Sequence, residues 1–200
     1  MRYERYIEHT MNAIYMHLEI SFRCGLQCPF CMRQTDFGKE LIKLYRDMPI
    51  EDFKKILKFS TNMHFCGNIS DAIYHPKFLD ILKLFDERDK GTLVISTNGS
   101  GKKIEWWEKA FSYSKRVQWL FGLDGVTQES AEKYRVNTDF DSVFNAMVLG
   151  KKMGRRIGWQ MIKFPYNEGE IEHYKELCAK YDIETYTKES RMPNEAKKLK

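Results

Sequence analysis

The spacing of apolar residues switches repeatedly between two periods along the chain. Short runs rich in β-branched and aromatic residues, at 15–21, 63–66, 92–96, 117–123, 157–163 and 183–187, predict strands. Helical spacing fills the intervals. Pro49 opens one helix in which Phe53, Ile56 and Leu57 recur on a face, and His75-Pro76 starts another carrying Phe78, Leu79, Leu82 and Phe85. Further helices are predicted over 104–114, over 139–152 behind an Asp139 cap, and over 168–180. Strand and helix in alternation are the signature of βα units built on a parallel sheet. Six such units, against the eight of a closed barrel, predict an α/β fold: an open partial (β/α)6 barrel with right-handed crossovers. There is no internal repeat and no low-complexity linker. A single core domain over 1–187 is expected, followed by a charged, Pro193-containing tail over 188–200 that is either mobile or the start of a further segment.

Composition narrows the class without naming it. The 200 residues, 42% hydrophobic and 14% aromatic, suffice for a real core, which excludes disorder as the default. A net charge of +5 permits an acidic partner but does not demand one. The first 20 residues have scattered charges and no apolar h-region, so no export signal is expected, and the apolar runs are too short for a bilayer. Five cysteines, an odd number, do not form a disulfide framework and suit a reducing cytoplasm.

Three of those cysteines crowd into the segment Cys24-Gly25-Leu26-Gln27-Cys28-Pro29-Phe30-Cys31. One tight loop then carries three thiolates, enough to grip three corners of a cubane iron–sulfur cluster and leave the fourth iron open. Structural zinc is the competing reading, with His17, His64, His75 or Cys66 as a fourth ligand, but zinc knuckles usually come in pairs and no second Cys-x-x-Cys is present.

The stretch Leu18-Glu19-Ile20-Ser21-Phe22-Arg23-Cys24, running into Cys28 and Cys31, resembles the first strand and cluster loop of the radical S-adenosylmethionine superfamily. The similarity extends over 15–187. It implies that Cys24, Cys28 and Cys31 bind a 4Fe-4S cluster, that S-adenosylmethionine chelates the open iron, and that Phe30 lies near its adenine. In that family the reduced cluster cleaves S-adenosylmethionine to a 5'-deoxyadenosyl radical, which abstracts a substrate hydrogen. Further along, Ser70-Asp71-Ala72 is similar to the family's Gly-Glu-Pro motif, giving Asp71 and Ser70 a place near the methionyl ammonium. Ser70 stands where glycine is usual and Ala72 where proline is usual. Thr97-Asn98-Gly99 resembles the Thr-Asn-Gly turn. Gly122-Leu123-Asp124-Gly125 resembles Ser-x-Asp-Gly with Gly122 in place of the cofactor-contacting serine; Asp124 is retained. The stretch Tyr134-Arg135-Val136-Asn137 is also common in the family and is expected to shape a helix start. Gln160 and Lys163, on the fifth strand, are candidates for the ribose or methionyl carboxylate, although strand alternation allows only one face inside.

The resemblance further implies a flavodoxin or ferredoxin-type electron donor. It points to a peptide or protein substrate, as in the peptide-maturase branch with its extra SPASM cluster domains, although this sequence looks core-only, like small phage-encoded members. The alternatives are a nucleic acid substrate, for which Trp106-Trp107 would supply stacking, a small metabolite, or a non-enzymatic iron–sulfur or zinc module binding nucleic acid. Cys66, at a strand end, is a candidate hydrogen-atom donor, whereas Cys178, with Tyr174, Leu177 and Tyr181 at core spacing, is expected to be a buried hydrophobe.

Overall fold

A computed structural model of the chain describes residues 15–190 and Leu199. Six strands, β1 (Tyr15–Leu18), β2 (Asn62–Phe65), β3 (Thr92–Thr97), β4 (Val117–Gly122), β5 (Arg156–Lys163) and β6 (Glu184–Glu189), form one sheet in sequential order. Every neighbouring pair is parallel. The helices between them are α1 (Asp36–Leu44), α2 (Ile50–Phe59), α3 (Phe78–Glu87), α4 (Ile104–Ser112), α5 (Gln128–Tyr134), α6 (Phe140–Lys152) and α7 (Ile171–Lys180). Among the described residues β1 and β6 do not pair with each other, so this is the unclosed six-unit barrel that the sequence predicts.

Strand alternation gives the two faces opposite chemistry. Met63, Phe65, Leu93, Ile95, Val117, Trp119, Phe121, Ile157, Trp159 and Met161 are fully or almost fully buried. They pack in one apolar cluster with Phe53, Ile81, Phe85, Trp107, Phe111, Met147 and Tyr174 from the helices. Trp107 sits at its centre, with ring centroids 5.6 Å from Trp119, 5.1 Å from Phe121 and 5.3 Å from Phe111. Cys178 is buried in the same layer, as its spacing predicts. The alternate positions, among them His17, His64, Cys66, Ser96, Leu120, Gly122, Gln160 and Lys188, line the cavity on the other face.

Two helices go beyond what apolar spacing predicts. Helix α1 follows the cysteine loop behind a Thr35 cap whose side chain accepts from Gly38 N at 3.0 Å; helix α5 follows a Thr127/Ser130 capping box. The sixth strand also runs two residues past its predicted end. Lys188 and Glu189 pair with Ile162 and Lys163 of β5, so they belong to the sheet and not to a tail. The rest of the expected tail lies outside the described residues, apart from Ser190 and Leu199.

Replacing Trp107 by Ala removes the centre of the aromatic layer, and denaturant unfolding should show a loss of about 3–5 kcal/mol.

Candidate active site

The loop after β1 is held by two neighbouring segments and by a turn of its own. Asp71 N donates to Arg23 O at 2.8 Å, Gln27 N to Val136 O at 3.1 Å, and Cys31 N to Cys28 O at 3.1 Å. Arg33 Nη1 spans from the loop to its neighbour, donating to Phe22 O at 2.8 Å and Ile69 O at 2.7 Å. Gly25 lets the loop lie against Tyr74: a Cβ there would fall 2.3 Å from the Tyr74 hydroxyl, which donates to Ser100 O at 2.9 Å. So held, Cys24, Cys28 and Cys31 line a cavity of about 370 Å³ at the C-terminal strand ends, together with Ser70, Asp71, Asn98, Gly122, Arg135 and Gln160. An adjoining cavity of about 490 Å³ shares Cys28, Cys31, Arg135, Gln160 and Lys188, and adds Phe30, Tyr134, Ile162 and Phe164. Burial pushes the Cys28 thiol up to about 11, against the pull of Arg135, and raises Cys24 as well.

Asp71 is buried and its carboxylate is already well supplied with donors. Oδ2 accepts from Asn98 N at 2.6 Å and Thr97 Oγ1 at 2.9 Å, and Oδ1 accepts from Ile73 N at 3.2 Å. It therefore locks the loop after β2 to the turn after β3. Glu19, quoted in the first-strand motif but given no role there, holds the same loop from just after β1: it accepts from Asn68 N, and from Ser70 Oγ at 2.5 Å. Asn98 is buried, accepts from Ser100 N at 2.9 Å, and directs its amide nitrogen to Cys24 Sγ at 3.5 Å.

The strand-four departure has a physical counterpart. A Cβ on Gly122 would lie 2.7 Å from Arg135 Nη2, so the guanidinium fills the space a serine would need. Arg135 Nε pairs with Asp124 Oδ2 at 2.6 Å, and Asp124 Oδ1 accepts from Ile162 N at 2.6 Å. Burial opposes the charge on Arg135, but Asp124 and the Cys28 sulfur outweigh it and keep the guanidinium protonated. Asp124 itself lines neither cavity; it reaches the site through Arg135. Tyr134 and Arg135 thus do more than shape a helix start. The missing side chain at 122 is the one signal in the sequence that something else must occupy that corner.

Of the remaining candidates, Phe30 lines the outer cavity, Gln160 both cavities, and Cys66 the inner one. Lys163 does not join them: at odd spacing from Gln160 it lies off both cavities and pairs with Glu189. His17 and His64 share the inner cavity with the cysteines. His75 is used elsewhere, bonding Met48 O and Lys77 N. No group of three His, Cys, Asp or Glu side chains is arranged to hold a single metal ion among the described residues. Trp107 is fully buried, and Trp106 stacks on Phe78 at 5.7 Å, so that pair offers no open stacking platform for a base. No helix among the described residues is long and apolar enough to cross a membrane.

The sequence model of the radical SAM superfamily matches residues 18–178. The chain belongs to the radical SAM superfamily. It is an enzyme of that class, whose cofactors are a 4Fe-4S cluster and S-adenosylmethionine. A curated relative, the tungsten-containing aldehyde ferredoxin oxidoreductase cofactor-modifying protein of Pyrococcus furiosus, is 36% identical over 91 residues, 43% of this chain and 24% of that protein. The fold is similar to that of Streptococcus suis SuiB bound to S-adenosylmethionine, with a TM-score of 0.74 at 13% identity over 100% of this chain and 47% of SuiB. SuiB bound to its precursor peptide SuiA gives 0.72 at 13% identity, over 98% and 44%. Native anSMEcpe with bound S-adenosylmethionine gives 0.66 at 16% identity, over 88% and 50%. This radical SAM core therefore matches about a quarter of the curated relative and about half of these solved chains.

Burial pushes Asp71 up to about 6 from 3.8. The folded cluster-free chain then holds that proton more tightly than the unfolded chain, so its stability should fall between about pH 4 and pH 6 and level off above, by at most about 3 kcal/mol. Urea unfolding across about pH 4–7 should show this slope, and Asp71→Asn should flatten it.

Proposed function

We propose that Cys24, Cys28 and Cys31 ligate three irons of the cluster, and that the protein directs the resulting radical chemistry at a peptide or protein. The observation that carries this reading is the single trough made by the two adjoining cavities, with Cys28 and Cys31 shared between them and Cys24 on the inner side. The donor set fits the cluster. Burial raises the proton affinity of these thiols, but iron takes their sulfur as thiolate and displaces the proton. Asn98 directs an amide N–H toward Cys24, and the Arg135 charge favours thiolate at Cys28.

When bound, the cluster and S-adenosylmethionine supply one-electron cleavage of a carbon–sulfur bond and a radical able to take a hydrogen atom. The chain's own residues orient and enclose. Phe30, Tyr134, Ile162 and Phe164 give the outer cavity an apolar, aromatic wall suited to adenine. Gln160 reaches the shared part of the trough and offers an amide to ribose or carboxylate. Ser70 and its loop, pinned by Asp71 and Glu19, would meet the methionyl ammonium when the cofactor is bound. Asp124 acts by holding Arg135 across Gly122.

The peptide reading rests on the open side of the sheet, which leaves the trough accessible to a large partner, and on the likeness to SuiB, a protein solved with a precursor peptide. An external one-electron donor of the flavodoxin or ferredoxin type completes the reaction. Its acidic surface would meet Lys39, Lys43 and Arg46 on and beside α1, next to the cysteine loop. The unpaired thiols fit a reducing cytoplasm.

Anaerobic reconstitution should load about four irons per chain. Dithionite and S-adenosylmethionine should then yield 5'-deoxyadenosine by chromatography, and Cys28→Ala should reduce that yield to background. A loaded cluster without product would overturn the enzymatic assignment of these residues.

The substrate class is tested by adding candidate peptides to the same mixture and weighing them. A mass change dependent on S-adenosylmethionine supports the peptide reading, and modification confined to RNA rejects it.

A further inference from the structure

Asn98 stands apart from the other polar residues of the trough because the direction of its side-chain amide is determined. Its Oδ1 is engaged by Ser100 N–H at 2.9 Å, an arrangement only the carbonyl end of the amide can satisfy. The NH2 end is therefore the one that faces Cys24 Sγ, at 3.5 Å. That is an ordinary N–H···S separation. The residue is also immobilised: it is 6% exposed, its backbone N–H donates to Asp71 Oδ2 at 2.6 Å, and Asp71 holds Thr97 Oγ1 beside it at 2.9 Å. Gly99, at φ +73°, turns the chain immediately afterwards, and a Cβ there would press on Phe121 at 2.8 Å and Val143 at 2.9 Å, so core packing closes behind the turn.

We infer that Asn98 is a positioning residue that tunes the reduction potential of the cluster through an amide N–H···S bond to Cys24. The inference rests on the assignment of Cys24 as an iron ligand. A cysteinate sulfur gains negative charge when the cluster accepts an electron, so a fixed donor stabilises the reduced state more than the oxidised one. The potential rises accordingly. No contact between Asn98 and S-adenosylmethionine is required. The residue acts on the electron-transfer step, in which the external donor is oxidised by one electron and the cluster reduced by one, with no bond made or broken in the protein.

The decisive variant is Asn98→Leu, close in shape and unable to donate. It should keep its iron content and its reduced-cluster spin-resonance signal. Its ratio of reduced to oxidised cluster at a fixed applied potential should fall about tenfold, which for a one-electron couple is a downward shift of about 59 mV. An unchanged potential in a fully loaded Asn98→Leu overturns the proposal. A second measurement stands if that variant does not fold. Wild-type protein carrying 15N only in asparagine side chains should show a nitrogen hyperfine coupling to the reduced cluster by pulsed spin resonance, and the isosteric Asn98→Asp, which lacks the side-chain nitrogen, should abolish it; absence of the coupling in the wild type also overturns the proposal. Wild-type protein that takes up no cubane cluster would instead reject the ligand assignment, a failure read separately from iron analysis.

Discussion

A buried carboxylate holds together the parts of this molecule that chemistry needs. Asp71 receives hydrogen bonds from Asn98 N, Thr97 Oγ1 and Ile73 N, while its own N–H reaches Arg23 O at the start of the cysteine loop. The loop after β2, the turn after β3 and the loop after β1 are thereby joined at one residue. None of the three segments has a regular strand or long helix to define it. A carboxylate is costly to bury, and satisfying it with several donors at once offsets that cost and makes the geometry unique. Asn98, placed by that bond, then presents its amide to Cys24, so the surroundings of that sulfur depend on a residue 74 positions away in sequence.

The sheet beneath imposes a second constraint. In a closed eight-stranded barrel the inward side chains fill the interior. Here six strands leave the sheet unclosed, and the concave positions are mostly polar or small: His17, His64, Ser96, Gly122 and Gln160, with Lys188 at the rim. The convex positions carry nearly all of the large apolar side chains. Stability thus comes from the helix-covered face, centred on Trp107, and the concave face is left free for ligands. Only the sequence parity of each strand residue decides which task it serves.

That parity explains what the sequence discloses and what it withholds. The six strands and the cysteine loop are visible in period and spacing, because both are local. Gln160 and Lys163 are three positions apart and so fall on opposite faces; one lines the trough and the other pairs with Glu189. Lys188 reads as part of a tail because its neighbours are polar, yet an edge strand of an open sheet needs no apolar face, and Lys188 lies over the trough. Glu19, Tyr134 and Arg135 escape detection as site residues for a different reason. Their partners lie 51, 30 and 11 positions away, at Ser70, Phe164 and Asp124, and no local pattern encodes such pairings.

The three departures from the family's motifs are better understood as exchanges than as losses. Ser70 in place of glycine brings a hydroxyl, and Glu19 just after β1 receives it at 2.5 Å. Ala72 in place of proline gives up a preset φ at the start of the short 3-10 turn Ala72–Tyr74, and the Asp71 side chain caps that turn instead. Gly122 in place of serine removes a hydroxyl and admits the Arg135 guanidinium, with Asp124 neutralising it. In each case the compensating group comes from the chain's own neighbouring elements. The consequence is a site whose positive charge near Cys28 is greater than a serine would provide, held in place by a buried ion pair whose alignment to the trough follows from the absence of a single Cβ.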